Sequence, residues 1–366
     1  MADPTMIDPD ADVIPSWRRD SVSRSSAWKP PSFNSELIRL DLNENQFVNL
    51  DEIGEIFRNL SVENISRYPD YTGVEKEICR TASVPIEQLI VTNGADQAIE
   101  MVVRSLNPES KVIVVVPTFS YYQHVIELEG LNAQKVWYDA DFSFNADRVL
   151  ELLTPDTSAV LLTSPSNPLT TEISENDLVR VLSVAREYSS LVVVDEVYAQ
   201  FTERNFLNLL DEYDNLVLIR SLSKFHGLAS IRLGYICASA DNIQTFQKIR
   251  GPWDISGHAA QIAEMVLKSQ SWTSYVEDIA RNRVLLSNML EKIGAVVVPS
   301  TINFILFQHH NAPRLVEWLE NNGVVVALMT NYKDAGGLLE NYIRIAVPND
   351  EQILVVQSAL EGFKFG

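Results

Sequence analysis

Cysteine is scarce in this sequence: Cys79 and Cys237 are the only two in 366 residues. Two thiols so far apart make neither a disulfide framework nor a zinc pattern, and they fit free thiols in a reducing compartment. Basic residues are also short. Against 49 Asp and Glu there are 29 Lys and Arg, a formal net charge of -20. Nucleic-acid backbones are held by clustered Lys and Arg, so a general nucleic-acid binder is not expected. No apolar stretch approaches the roughly 20 residues that span a bilayer. The opening MADPTMIDPDADVIP lacks the basic start and apolar run of a secretory signal. A cytoplasmic protein without a membrane or nucleic-acid partner is the expectation. No fixed-period repeat is present.

What is there is ordinary globular composition, 46% hydrophobic and 21% charged, enough for a sizeable core. The length suits one large domain and a smaller one. Residues 1–33, rich in Asp, Ser, Pro and Arg, read as a loosely docked N-terminal arm. Beyond residue 87, short apolar runs alternate with helical stretches. The runs are QLIVTNG, KVIVVVP, AVLLTSP, LVVVDE, NLVLIRS and RLGYICAS. Most are apolar at successive positions, which suits strands buried on both faces. Between them, ADQAIEMVVRSL, YYQHVIELEG and SENDLVRVLSVAREYSS carry apolar residues at three-to-four spacing, the mark of amphipathic helices. The expected class is α/β: a large domain over 47–280, with a mostly parallel seven-stranded sheet wrapped by helices. A smaller α+β domain is built from both chain ends, 34–46 and 281–366. Its strands are read in VVVPS, NFILFQ, VVVALM and NYIRIAV, and its helix in APRLVEWLENNG.

Ligands of an open parallel sheet bind beyond the carboxyl ends of its strands. In LVVVDEVY, an apolar run leads straight into Asp195. A carboxylate there is costly without a cation or donor. A protonated pyridine nitrogen is one such partner, with Tyr198 in reach of a ring oxygen; a helix N-cap is the alternative. In SLSKFHGLASIRLGY, Ser221 and Ser223 flank Lys224, and Arg232 follows eight residues later. Hydroxyls and a guanidinium suit a phosphate, and a partly desolvated lysine beside positive charge condenses with aldehydes. Asn93-Gly94-Ala95-Asp96 opens a helix whose N-terminus suits an anion, or is a plain turn. Phe119 in PTFSYY either stacks on a cofactor ring or packs in the core. Asn167 in TSPSNPLT is a ring-oxygen donor or an ordinary turn residue. His309-His310 has no third ligand at recognisable spacing and is expected to be exposed. His226 is expected to be solvent-facing or structural.

Taken together, NGAD, PTF, SPSNP, VVVDEVY, SLSK and IRLGY, in this order and each at a strand end, resemble the fold-type I aminotransferases of class I/II. The histidinol-phosphate aminotransferases are the most similar group. The resemblance runs from LDLNEN to NYIRIAV. It implies a pyridoxal 5'-phosphate enzyme that moves an amino group between an amino acid or amino-phosphate and a 2-oxo acid. By position, Lys224 matches the lysine that carries the cofactor as a Schiff base and moves the substrate proton. Asp195 matches the partner of the ring nitrogen, Tyr198 and Asn167 the donors to the ring oxygen, and Phe119 the stacking aromatic. Ser221, Ser223, Arg232, Gly94, Ala95 and Asp96 match the phosphate cradle. Arg344 matches the arginine for the substrate's acidic group, and Asn43 in LDLNEN is the second substrate-side residue. Tyr68 in SRYPDYTG matches a tyrosine donated by a neighbouring subunit, which implies a homodimer with shared sites.

Two positions depart from the family pattern. Pro168-Leu169-Thr170-Thr171 stands where relatives have Pro-Thr-Gly, so the turn must close without that glycine. Ala327 stands where histidinol-phosphate enzymes carry a second arginine, a charge-assisted contact worth roughly 1.5–3 kcal/mol. The rival reading within the fold is a decarboxylase similar to the threonine-phosphate enzymes, or another amino-acid-modifying reaction. It differs in which bond at the α-carbon is held for cleavage.

Overall fold

The computed structural model describes residues 17–27 and 34–364. Its centre is a seven-stranded sheet in the order β2-β8-β7-β6-β5-β3-β4. The strands are β2 (Leu89–Thr92), β3 (Lys111–Val116), β4 (Asn132–Trp137), β5 (Thr157–Thr163), β6 (Leu191–Asp195), β7 (Leu216–Ser221) and β8 (Gly234–Ala238). β8 runs antiparallel to both of its neighbours; the other six strands share one direction. The α/β expectation with seven strands therefore holds. Successive residues of β3 bury on opposite faces: Val112, Val114 and Val116 in one core layer, Ile113 and Val115 in the other. That double burial explains why these runs are apolar throughout. Six of the strands lie in the apolar runs. The seventh, β4, has the sequence NAQKVW and buries only Val136. It is an edge strand, and edges tolerate polar residues.

Helix Gly94–Ser105 and helix Tyr121–Glu129 pack on one face. On the other lie Thr72–Ala82, Glu175–Glu187 and Gly257–Ser269. Ser174 and Ser256 begin the last two by accepting backbone N–H bonds from Asp177 and Ala259, at 3.1 Å each.

The second sheet is antiparallel, ordered β12-β13-β10-β9. Its strands are β9 (Val296–Val297), β10 (Phe304–Gln308), β12 (Ala327–Leu328) and β13 (Tyr342–Ala346). VVVALM does not form one strand. Its first half, β11 (Val324–Val325), pairs in parallel with β1 (Ile38–Arg39), and its second half is β12. Helices Ala312–Asn321 and Gln352–Gly362 cover this unit. Helix Tyr275–Lys292 passes through residue 281 without a break. Its Tyr275 and Ile279 pack on Val347, while Leu286 and Leu290 enter the core of the second sheet.

Of the N-terminal arm, residues 1–16 and 28–33 lie outside the described residues. The short helix Asp20–Arg24 is docked: Arg19 pairs with Glu129 at 2.8 Å, and the Ser21 hydroxyl donates to the Leu128 carbonyl at 2.7 Å. No helix among the described residues is long and apolar enough to cross a membrane.

Candidate active site

β6 carries its apolar run into Asp195, which is buried. Oδ1 accepts the Val197 backbone N–H at 3.0 Å and Oδ2 accepts the Tyr122 hydroxyl at 3.2 Å. Burial pushes the Asp195 carboxyl up to about 7, against the pull of those two donors. The sheet thus holds at its end a carboxylate that a cation would stabilise strongly.

β7, beside β6, ends at Ser221. The Ser223 N–H donates to the Ser221 hydroxyl at 3.0 Å, which closes the turn that leads into Lys224. Lys224 Nζ donates to the Leu42 carbonyl at 2.7 Å. Burial pulls its amine down to about 8, and the nearby cations Arg344 and Arg232 act in the same sense. Arg232 reaches back to donate to the Ser223 hydroxyl at 3.2 Å and to pair with Asp96 at 3.0 Å. Gly94 opens its helix with φ +70, and a Cβ there would stand 2.4 Å from the Arg232 guanidinium. A Cβ on Gly234 would meet the Ala95 nitrogen at 2.8 Å. Gly94 is demanded by its left-handed φ, and Gly234 by the close approach of β8 to the backbone of the helix N-terminus. Phe119 lies three residues beyond β3, partly buried against the layer beneath that helix.

The opposite wall comes from the second sheet and the β1 segment. Arg344, on β13, donates to Asn167 Oδ1 and to the Asp41 carbonyl, each at 2.6 Å. Its Nε is buried without a hydrogen-bond partner. Asn167 turns its carbonyl to Arg344, so its amide N–H groups remain to donate elsewhere. Asn43 donates to the Tyr198 hydroxyl at 2.9 Å, and burial pushes that phenol up to about 12. Ala327 lies directly opposite Arg344 in the β12–β13 register.

Tyr68 stands apart from this group within the single chain. It is 77% exposed and stacks on Trp253 with 4.2 Å between ring centroids. Of the histidine expectations, that for His309 needs correction, and for His226 the structural alternative holds. His309 is buried, receiving the Asn311 N–H at 3.2 Å with its other nitrogen 3.2 Å from the Ile293 carbonyl; His310 alone is exposed. His226 does not face solvent: it is buried edge-on to Phe225 and Trp272, and burial pulls its ring down to about 3.

Four residues escape sequence reasoning. Tyr122 reaches Asp195 from the first turn of its helix, in a run read only for periodicity. Glu196 and Arg220 form a buried ion pair at 2.7 Å between the ends of β6 and β7, and Glu196 also accepts the Phe206 N–H at 2.7 Å. Their adjacency to Asp195 and Ser221 was the available signal. Tyr332 sits in the loop between β12 and β13, where no periodicity marks it.

The profile of the family described as aminotransferase class I and II matches residues 35–360. Histidinol-phosphate aminotransferase 2 of Nitrosococcus oceani is 30% identical, with 92% of this chain and 94% of that protein covered. Histidinol-phosphate aminotransferase 1 of a Nostoc species is 28% identical over 93% of this chain and 96% of that protein. The solved histidinol-phosphate aminotransferase of Sinorhizobium meliloti, in complex with pyridoxal-5'-phosphate, superposes with a TM-score of 0.82 at 20% identity. It covers 95% of this chain and 97% of its own, which is a likeness of fold. With the match spanning both sheets and every strand end described above, the chain belongs to the class I and II aminotransferases.

Proposed function

We propose that this aminotransferase moves an amino group from an amino acid or amino-phosphate to a 2-oxo acid, with Lys224 as the working base. Its cofactor is pyridoxal 5'-phosphate, which supplies an aldehyde for amine capture and a ring that takes up electrons when a bond at the substrate's α-carbon breaks. One observation carries the residue assignment. A single site holds a lysine pulled down to about 8 and a buried carboxylate pushed up to about 7. Environments that drive an amine and a carboxyl toward each other's range mark acid–base machinery.

The residues fit the cofactor. The buried Asp195 carboxylate has two neutral donors and would hold a proton on a ring nitrogen. Arg232, Ser221, Ser223 and the N–H groups at Gly94 and Ala95 form a cradle for a phosphate, and Asp96 orients Arg232 within it. Phe119 offers a stacking face; Tyr198 and Asn167 offer donors for a ring oxygen. Lys224 would hold the cofactor through Nζ, and the same Nζ, when free, would take the proton from the substrate's α-carbon and later return it. Neutral amine is needed for both roles, and burial supplies it near neutral pH. Arg344 and Asn43 line the substrate side.

A second copy of the chain completes the reading. Leu50, Phe57, Val62, Ile65, Tyr68 and Trp253 are large apolar side chains left exposed. A patch of this kind fits a subunit interface, and it would carry Tyr68 into the site of the neighbour. The wide net negative charge and the family's chemistry fit a cytoplasmic metabolic enzyme.

The test is a single turnover with stoichiometric cofactor and no 2-oxo acid. Glutamate, histidinol phosphate, aromatic amino acids and threonine phosphate are added one at a time. Loss of the cofactor's visible absorbance with matching keto product is expected for at least one of them, and its absence in Lys224→Ala. Carbon dioxide release without keto product would replace amino transfer by decarboxylation.

A further inference from the structure

Asp195 lies on β6 and Tyr122 on the helix that follows β3, with β5 between those two strands. Val193 and Asp195 are two residues apart, so their side chains leave β6 on one face. Tyr122 is buried in the layer on that face, with Leu161 of β5 and Val193 of β6. From there its hydroxyl reaches Asp195 Oδ2 at 3.2 Å. Two contacts fix its approach. The Tyr122 N–H donates to the Phe119 carbonyl at 3.0 Å, so Phe119 and Tyr122 share one turn. The buried hydroxyls of Thr118 and Thr163 meet at 2.7 Å, and Thr163 stands opposite Asp195 in the β5–β6 register. The turn after β3 is thereby keyed to β5 beside the carboxylate.

Tyr122 is 2% exposed and Asp195 4%. Burial pushes the phenol well above its ordinary value, and the neighbouring Asp195 acts in the same sense, so the hydroxyl keeps its proton. A phenol has one proton to give, and this one goes to Asp195. Among the described residues the other donor to this carboxylate is the Val197 backbone N–H, at Oδ1. Asp96 and Glu196 also bear on Asp195, and both disfavour its ionised form. Tyr122 is thus the side chain that opposes them. Its neutrality matters. A cation in its place would neutralise the carboxylate and compete with a ring nitrogen for it. A phenol stabilises the negative charge and leaves it to be paired. Each carboxylate oxygen still has room for a further hydrogen bond.

Resting on the assignment of Asp195 to the cofactor's ring nitrogen, we propose that Tyr122 is a positioning residue: by donating to Oδ2, it keeps the proton shared by carboxylate and ring on the nitrogen. Hydrogen bonds to a charged form favour that form. Without this one, the proton passes from the nitrogen to Asp195, and a neutral ring takes up electrons less readily.

The experiment loads the enzyme with pyridoxal 5'-phosphate carrying nitrogen-15 in its ring. Solid-state spectra separate protonated from neutral pyridine nitrogen. Wild type is expected at the protonated position. Tyr122→Phe removes one oxygen and keeps the ring that fills the layer. It is expected to move the resonance toward the neutral position and to slow a single turnover about tenfold, the effect of one hydrogen bond to a charged group. With 4-aminophenylalanine in place of Tyr122, an N–H donor stands where the hydroxyl was, and the resonance should return toward wild type. On an Asp195→Asn background, Tyr122→Phe should slow turnover no further. A neutral nitrogen in wild type, a protonated one in Tyr122→Phe, no recovery with the amino analogue, or an undiminished loss on the Asp195→Asn background would each overturn the proposal. The same spectra keep the two readings apart. If Asp195→Asn leaves the resonance at the wild-type position, the assignment of Asp195 fails and that of Tyr122 with it. If Asp195→Asn moves it and Tyr122→Phe does not, only the role of Tyr122 fails.

Discussion

Asp195, Lys224 and Arg232 stand where strands buried on both faces end, whereas Arg344, Ala327 and Tyr332 belong to a small antiparallel sheet and the loop that leaves it. The first group has little freedom. Glycine is required at 94 by a φ of +70 and at 234 by backbone atoms 2.6–2.9 Å from where a Cβ would stand, and the Glu196–Arg220 pair locks the two central strand ends together. The second group is built differently: an alanine occupies the position opposite Arg344, and the loop that leaves β12 is tied to the large domain by Lys333 and Asp334. Rigid strand ends suit a constant cofactor. A wall hung from a short sheet suits a substrate that differs from one relative to the next.

The sharpest way to break this comparison is at Asp195. If the large sheet serves the cofactor, Asp195→Asn should lower amino transfer by roughly a hundredfold or more, since removing one partner of a buried charged pair costs about 3–5 kcal/mol. Cofactor-free protein should behave the opposite way. Its Asp195 sits at about 7, above the ordinary 3.8. The folded state therefore holds a proton that the unfolded chain releases. The stability that this group contributes is fully present below about pH 4 and is lost as pH rises through 7. Melting curves of cofactor-free wild type and Asp195→Asn across that window should diverge, with the variant gaining relative stability as pH rises. A pH-independent difference between them would remove Asp195 as a buried titrating group.

The substrate wall should act on the lysine only through its charge, a smaller effect. The Lys224 amine must be neutral to attack an aldehyde, so the rate at which cofactor-free protein captures pyridoxal phosphate should rise with pH through about 8. Arg344→Gln removes one of the cations that disfavour protonation. Its inflection should move up, yet stay below the ordinary 10.5 because burial, the larger cause, is untouched. Rapid-mixing traces over a pH series measure it. An unmoved inflection would mean that the two walls are electrostatically independent.

How much of this was legible follows the same division. Six strands of the large sheet announce themselves because burial on both faces forces apolar residues at every position. Their polar ends then mark Asp195, Ser221 and Lys224. β4 is silent because an edge strand needs only one buried residue, Val136. Tyr122 and Tyr332 are silent for another reason. Their contacts join segments far apart in sequence, and nothing local distinguishes a tyrosine that reaches Asp195 from one that packs. VVVALM reads as one strand because its apolar run is continuous, yet its halves pair with different partners, β1 and β13. Periodicity records burial and not pairing.

The finest test lies in the turn that joins the two walls. Thr170 has φ +66, a left-handed conformation that a β-branched residue adopts only at a cost of about 1–3 kcal/mol. Its hydroxyl donates at 2.8 Å to the Pro299 carbonyl, on the segment leading into β10, and its N–H bonds the Ser166 carbonyl at 2.8 Å. The same turn carries Asn167, the acceptor for Arg344. Strain and hydrogen bond thus oppose each other at one residue. Thr170→Gly removes both, so its stability should stay within about 1 kcal/mol of wild type. Thr170→Ala keeps the strain and loses the bond, and should be less stable than either by about 1 kcal/mol. Thermal melts rank the three. If Thr170→Ala matches wild type, the hydroxyl contributes nothing to the turn. If Thr170→Gly falls well below it, the bond to Pro299 matters more than the strain it offsets, and the two walls are coupled through this turn more tightly than their separate construction suggests.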